Sequence, residues 1–256
     1  MKKYWYKTAM LVIALGAFTA CSDDDEPTIP KGPIAPVNGA YVINTGNWNE
    51  NNGTIQWYDR DLKTVSADLF AAANGAGIGD AQDLCVYGTK IYILTNESGQ
   101  PIQPRYMTAA TGNIYFTAYD GTVSQIDTTS LSITQKIEVG GSHPEALTSA
   151  NGKLYINLSN YDMDGTGKYV AVVNLANFTK IKDIEVLLNP YDICTTGEDG
   201  KVYFISCGDF GGNPAQTLQC IDPQTDEVTV VCPASKIAMK GNKIYVIYAE
   251  YFEAAD

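Results

Sequence analysis

The 256-residue sequence predicts an all-β fold, specifically a β-propeller of four-stranded blades. Three observations lead there. One phrase recurs as "GTKIYILTN", "TGNIYFTAY", "NGKLYINLS", "DGKVYFISC" and "GNKIYVIYA", each a turn signal followed by a strand of alternating β-branched and aromatic residues. A second phrase recurs beside it, as "GTIQWYDRDLKTV", "GTVSQIDTTSLSI", "VAVVNLANFTKI" and "TLQCIDPQTDEV", a strand, an Asp- or Asn-led tight turn and another strand. The third observation is the period: Tyr92, Tyr115, Tyr155, Tyr203 and Tyr245 follow one another at 23, 40, 48 and 42 residues. Units of roughly 40–50 residues with four short strands are propeller blades, whereas a sandwich would not repeat one phrase in register.

In chain order, residues 1–20 read as a lipoprotein signal peptide. Lys2, Lys3 and Lys7 precede the apolar run "TAMLVIALGAF", which is too short to span a bilayer, and Thr19 and Ala20 lead to Cys21. Cys21 resembles the cysteine of a bacterial lipobox, which is acylated and becomes the mature N-terminus; Phe18 departs from the usual aliphatic residue three places before it. Residues 21–38 then carry the lipidated cysteine, the acidic run "SDDDE" and a tether with Pro27, Pro30, Pro33 and Pro36 at every third position. Placed after such a cysteine, the acidic run resembles the signal that sends Bacteroidetes lipoproteins to the outer face of the outer membrane. Proline at that spacing favours an extended polyproline strut. The propeller itself is expected over residues 39–256.

Within a blade, "HPEALTSA" is the innermost strand A, "KLYINLS" is B, "YVAVVNLA" is C and "TKIKDIEV" is D. No amphipathic helix is expected after Tyr41. Two units are shortened. "LTNESGQPIQPRYMT" runs from a B strand directly into the next A strand, and "YVIYAEYFEAAD" ends the sequence after another B strand. About four full blades and two halves are therefore expected, which leaves a closed ring and an open arc as alternatives.

This strand order sorts the loops onto two faces. The A–B and C–D turns read as plain turn chemistry. The B–C and D–A loops pair aromatics with amides, carboxylates or a guanidinium, and supply the candidate ligand-binding residues Asn47, Trp48, Asn49, Asn51, Asp83, Arg105, Tyr106, Tyr119, Tyr161, Tyr191, Phe210 and Tyr251. Trp48 stands among the asparagines of "NTGNWNENNGT", a loop that cannot enclose an indole, so it reads as a ligand platform or as a plug between blades. Arg105 either meets ligand or pairs with Asp83 or Asp120. Tyr155 and Tyr203 are expected to pack between blades.

The formal charge of −12, which loss of the three leader lysines deepens, argues against nucleic acid and anionic lipid as partners. With Cys21 acylated, Cys85, Cys194, Cys207, Cys220 and Cys232 remain; free buried thiols are favoured, with a Cys207–Cys220 bridge as the alternative. "NYDMDGTGKY" offers Asp162 and Asp164 but lacks the further oxygens of a calcium loop, so a turn is expected there. One histidine, His143, and the absence of a nucleophile motif or metal cluster argue against catalysis.

The phrases "YVINTGNWNENNGTIQWYD", "GDAQDLCVYGTKIYI", "QPRYMTAATGNIYFTAYDGTVSQIDTTSL", "PEALTSANGKLYI" and "GNKIYVIYAEY" resemble the surface-exposed, cobalamin-binding propeller lipoproteins of gut Bacteroidetes, the BtuG type, within the YVTN-repeat class. The resemblance covers nearly everything after the tether. It implies a seven-bladed, non-catalytic, lipid-anchored propeller on the cell surface. It also implies capture of vitamin B12 or a related corrinoid as transported ligand, not cofactor, and delivery to a TonB-dependent outer-membrane transporter. A flat corrin fringed with amides suits ring faces beside Asn and Gln, which both donate and accept. Two other classes use similar faces: a glycan- or protein-binding propeller, and a metal-dependent lyase or lactonase with Asp83, Glu145 and Asp192 as carboxylates.

Overall fold

The computed structural model describes residues 12–14, 38–47, 50–96, 102–141, 143–161, 164–195, 199–209, 215–240 and 243–249. Cys21, the acidic run, the proline tether, Trp48, Asn49, Asp162, Phe210 and Tyr251 lie outside them. The chain divides into two compact units, Met1–Gln100 and Pro101–Asp256.

The first unit contains β1 (Val12–Ala14), β2 (Gly39–Asn44), β3 (Thr54–Asp59), β4 (Thr64–Val65), α1 (Leu69–Asn74), β5 (Asp80–Tyr87) and β6 (Lys90–Asn96). Its strands form two three-stranded antiparallel sheets, ordered β2-β3-β4 and β1-β6-β5. Ile55, Phe70, Ile78, Ala81, Ile91 and Ile93 make its core. The shortened unit read from the sequence is the β5–β6 pair, and β1, which falls within the stretch read as a signal peptide, lies antiparallel along the edge of β6. Sequence reasoning missed α1, because six residues are too few to show a helical period. Its ends are nevertheless specified. The Asp68 side chain accepts from the Phe70 N–H at 3.1 Å, and Gly75, at φ 72°, closes the last turn.

The second unit carries the repeat in full. Its first blade is β7 (Pro104–Ala110), β8 (Asn113–Ala118), β9 (Thr122–Asp127) and β10 (Ile133–Glu138). The second is β11 (His143–Ala150), β12 (Lys153–Ser159), β13 (Tyr169–Asn174) and β14 (Thr179–Glu185). The third is β15 (Pro190–Thr195), β16 (Val202–Ser206), β17 (Thr217–Ile221) and β18 (Val228–Pro233), and β19 (Lys236–Lys240) pairs with β20 (Lys243–Ile247). Each blade is an antiparallel sheet in simple chain order, and the innermost strands β7, β11, β15 and β19 neighbour one another in turn. Three four-stranded sheets are thus complete among the described residues; the fourth expected blade, around "GTIQWYDRDLKTV", is the three-stranded sheet of the first unit.

The two recurring phrases make two recurring turns. In the C–D hairpins, the side-chain oxygens of Asp59, Asp127, Asn174 and Asp222 accept the backbone N–H two residues on, at 2.8, 3.0, 2.8 and 2.8 Å. The fifth residue of each turn, Lys63, Leu131, Phe178 or Asp226, then takes a positive φ of 49–61°. This is an Asx turn, and it explains why the phrase always begins with Asp or Asn. In two A–B hairpins the pairs Thr111–Gly112 and Asn151–Gly152 both have positive φ, as a type I′ turn demands. Asp127 also accepts from Ser130 N–H at 2.6 Å, so Asp127→Ala is expected to lower stability by about 1 kcal/mol, read as a shift in the urea midpoint.

Burial follows strand position. The central strand β12 is buried on both faces apart from Lys153, whereas the outermost β14 is largely exposed, with Ile184 alone buried. Between the first and second blades lie Tyr115, Val123, Leu147, Leu154, Ile156 and Phe178, with the Tyr115 and Phe178 rings 5.6 Å apart. Between the second and third lie Tyr155, Val170, Val172, Val202, Phe204 and Ile221. Tyr155 is therefore interblade packing, as expected. Tyr203 is half-buried, with its hydroxyl donating to Asp199 at 2.8 Å, while Tyr245 is 53% exposed on β20. Cys207 and Cys220 are both free thiols, as are Cys85 and Cys232, so the alternative bridge does not form.

Candidate functional site

The inner strands share an irregularity that aims side chains away from the sheet. Register slips between Pro104 and Met107 in β7, between Pro144 and Leu147 in β11, and between Pro190 and Asp192 in β15. Proline has no N–H to leave unpaired, so it tolerates the start of such a bulge, and a bulge re-aims the residue that follows it. Those residues are Arg105, Glu145 and Tyr191.

Glu145 is the centre of the site. It is 2% exposed, and its Oε1 accepts the Tyr119 hydroxyl at 2.5 Å and the Tyr161 hydroxyl at 2.8 Å. Tyr119 follows β8 and Tyr161 follows β12, so the clip joins the B–C loops of adjacent blades to the inner strand between them. His143 sits against both tyrosines, with ring centroids 4.6 Å from Tyr119, edge-on, and 5.2 Å from Tyr161. The guanidinium carbon of Arg105 lies 4.8 Å from the centre of the Tyr119 ring and 5.6 Å from that of Tyr106, in cation–π geometry. Five side chains from two blades thus form one aromatic and polar cluster: Arg105, Tyr119, His143, Glu145 and Tyr161.

Electrostatics keeps both phenols protonated. Burial, followed by the hydrogen bond to Glu145 and its charge, pushes the Tyr119 hydroxyl well above its ordinary 10.0, with Arg105 partly opposing. Burial and then the charge of Glu145 push Tyr161 further still. Unfolding would return both groups to ordinary behaviour, so between pH 10 and their folded values the unfolded chain holds fewer protons than the folded one. Their contribution to stability is therefore fully present below about pH 10 and is lost as pH rises through the folded values. A urea midpoint that is flat from about pH 7 to 9 and falls above about 10, with part of the ultraviolet tyrosinate band emerging only on unfolding, is expected. Full tyrosine ionisation in the native protein near pH 10 would contradict the clip.

Other candidate residues are placed differently. Tyr191 is half-buried against the cluster of Ile205, Leu218, Ala234 and Ile237, and its hydroxyl donates to the Ser235 carbonyl. Burial, then the charge of Asp192, raises it to about 12. Its phenol ties β15 to the segment leading to β19. Tyr106 is half-buried against the core between the first and second blades. The Arg105–Asp120 pairing does not form: Asp120 bonds Lys136 at 2.6 Å and Thr122 at 2.5 Å, which lower its carboxyl against the upward pull of burial.

Asn47, Asn51 and Asp83 belong to the first unit. Exposed Asn47 donates to Glu50 at 2.8 Å and takes Asn52 Oδ1 on its N–H at 2.7 Å, Asn51 takes φ 50°, and Asp83 Oδ1 accepts the Leu84 N–H at 2.8 Å. Trp48, Asn49, Phe210 and Tyr251 lie outside the described residues.

For metal chemistry, no group of three or more His, Cys, Asp or Glu side chains among the described residues is placed to hold an ion. Asp192 Oδ2 stands 3.2 Å from Lys236 Nζ, out of hydrogen-bond alignment. Asp164 Oδ1 takes the Thr166 N–H at 2.9 Å, the Thr166 hydroxyl at 2.7 Å and the Asn160 amide at 3.0 Å, which is turn chemistry.

Sequence reasoning placed Glu145 and His143 on the right face but left both out of the binding set. The signal that could have found Glu145 is the triplet "QPR", "HPE", "NPY" at the start of three inner strands.

No family model and no curated protein matches the chain. Solved structures do. A computationally designed protein is similar at 14% identity with a TM-score of 0.54, over 81% of this chain and 64% of its own. A protein of unknown function from Bacteroides caccae is similar at 11% and 0.47, over 76% of this chain and 73% of its own. The hydrazine synthase of Kuenenia stuttgartiensis is similar at 13% and 0.44, over 82% of this chain and 55% of its own. The chain thus spans little more than half to two thirds of the length of the designed protein and the synthase. At these identities the likeness concerns fold alone. The class that the sheets define is all-β and propeller-like.

Proposed function

We propose that this chain is a lipid-anchored, non-catalytic binding protein of the outer-membrane surface that takes up cobalamin or a related corrinoid and passes it to a TonB-dependent transporter. The observation that carries the reading is the cluster around Glu145. Two tyrosines from neighbouring B–C loops are locked by one buried carboxylate, with Arg105 and His143 against their rings. Such a face is preorganised, so little side-chain ordering opposes binding. Tyr119 and Tyr161 are half-buried and still have ring surface to cover. Removing roughly 40 Å² more from each would return about 1 kcal/mol gross per ring. The resemblance of the repeat phrases and of the lipobox with its acidic run supplies the ligand class, the anchor at Cys21 and the transporter.

Calorimetric titration of the protein with cyanocobalamin, beside a circular-dichroism melt, tests it. One-to-one binding at micromolar affinity or tighter is expected, about 8 kcal/mol or more. A cooperatively folded sample that ignores cyanocobalamin but binds on a glycan array would overturn the corrinoid reading and give the same aromatic face to a sugar.

A further inference from the structure

We propose that His143 is an axial ligand, its imidazole taking the exchangeable position on the cobalt of the bound corrinoid. The inference rests on the corrinoid reading and adds a coordinate bond to it.

A corrin supplies the equatorial nitrogens itself, so the protein has only one lone pair to provide. A site of this kind needs no cluster of metal-binding side chains, and none stands among the described residues. Imidazole is the commonest metal ligand that proteins offer. The chain has one histidine, and it stands in the aromatic cluster. Its ring lies against the two phenols that Glu145 fixes, with centroids 4.6 Å from Tyr119 and 5.2 Å from Tyr161, and it is half-buried, so part of it remains open to a ligand. A metal takes the lone pair of one ring nitrogen and leaves the other for a hydrogen bond, which is the usual arrangement of metal-bound histidine.

The neighbouring groups are poor competitors for that place at neutral pH. Arg105 is a cation without a lone pair, and its guanidinium lies over the Tyr119 and Tyr106 rings. Tyr119 and Tyr161 donate to Glu145, and Tyr161 also shares a hydrogen bond with Ser159. Burial and the Glu145 charge keep both phenols protonated. Glu145 itself is 2% exposed and holds those two hydroxyls. The buried Cys207 thiol is pushed up to about 11, chiefly by burial, so it is no thiolate.

The ligand exchange is balanced. In aquocobalamin the lone pair of one imidazole nitrogen forms a Co–N bond, the Co–O bond breaks and water leaves. Cobalt stays Co(III), and no proton moves. In cyanocobalamin the same position holds cyanide, a stronger ligand than imidazole, and does not exchange.

The test mixes aquocobalamin with wild-type protein, free of any affinity tag and in imidazole-free buffer at neutral pH, so that His143 is the one imidazole present. The visible spectrum is expected to move to that of the adduct which free imidazole forms with aquocobalamin, whereas cyanocobalamin is expected to bind without a shift. By calorimetry, aquocobalamin is expected to bind at least about tenfold more tightly than cyanocobalamin. His143→Gln, which keeps a hydrogen-bonding side chain, is expected to abolish the shift and bring the two affinities within about twofold. A merely structural role for His143 would weaken both corrinoids alike and leave their ratio as it was. Aquocobalamin that binds wild type without a spectral change would overturn the inference and leave the corrinoid reading standing. A shift that persists in His143→Gln would overturn it too, by placing the ligand elsewhere. A folded wild type that binds neither corrinoid would remove the corrinoid reading and this inference together. Should His143→Gln fail to fold, the wild-type spectrum decides, because the chain holds no second histidine.

Discussion

Tyr155→Ala is expected to destabilise the Pro101–Asp256 unit by about 3–5 kcal/mol, whereas Tyr155→Phe is expected to be neutral or to stabilise by up to about 1 kcal/mol. Tyr155 is fully buried on β12, between the second and third blades, against Val170, Val172, Val202, Phe204 and Ile221. Truncation leaves a ring-sized cavity between two sheets whose backbones are each held by their own hydrogen-bond ladders, so neither can collapse into the space. The phenol oxygen is a different matter. It is buried without a hydrogen-bond partner among the described residues, and burial, followed by the charges of Asp226 and Asp222, raises its pKa to about 12. Removing it deletes an unsatisfied polar group and keeps the ring. Urea midpoints for the two variants check both halves. A loss below about 1 kcal/mol for alanine would mean that the blades do not close on this residue. A comparable loss for phenylalanine would mean that the hydroxyl has a partner.

The same residue shows how much of the fold was legible in the sequence. A repeated tyrosine two places after the turn lysine or asparagine marks each B strand, and on the three that are covered on both faces, at Tyr92, Tyr115 and Tyr155, it is buried. The strand order of the second unit followed from that phrase and from the Asx turns of Asp127, Asn174 and Asp222. α1 was missed because Asp68 and Gly75 specify its ends while its six residues carry no period. Among the described residues the sheet around "GTIQWYDRDLKTV" has three strands; that phrase announces a C–D hairpin, and nothing in a hairpin phrase reports whether an A strand pairs beside it.

The site was half legible. Loop identity put Tyr119 and Tyr161 on one face, and the structure brings them within hydrogen-bond reach of one acid. Composition cannot separate them from Tyr191, which lies instead at the start of β15, where Arg105 and Glu145 lie in their own strands, and turns its hydroxyl to the Ser235 carbonyl. Glu145 was hidden for a physical reason. A strand-borne acid beside a proline reads as polar surface until a bulge turns it inward, and bulges leave only a faint trace in sequence.

Removing both phenol oxygens of the clip, as Tyr119→Phe with Tyr161→Phe, is expected to destabilise the unit by about 3–5 kcal/mol, more than the sum of two surface substitutions. Each hydroxyl is a donor to a carboxylate that is 2% exposed, and hydrogen bonds to charged groups contribute about 1.5–3 kcal/mol apiece. With one tyrosine gone, the other still donates to Oε1, so each single phenylalanine variant is expected to lose only about 1–2 kcal/mol. With both gone, a buried acid has lost every donor it has among the described residues, and the nearby guanidinium, stacked on the Tyr119 ring, is held to that ring instead. The decisive comparison adds Glu145→Gln to the double variant. If the loss arises from stranding an acid, removing its charge should restore about half of the lost stability, because an amide is far less costly to bury than a carboxylate. If it arises from altered packing of the rings, Glu145→Gln should restore nothing. Urea denaturation of the four combinations, at one pH below 9, separates the two causes. A double variant as stable as wild type would mean that the tyrosines are held by something other than Glu145, and the preorganised face on which the binding proposal rests would have to be abandoned.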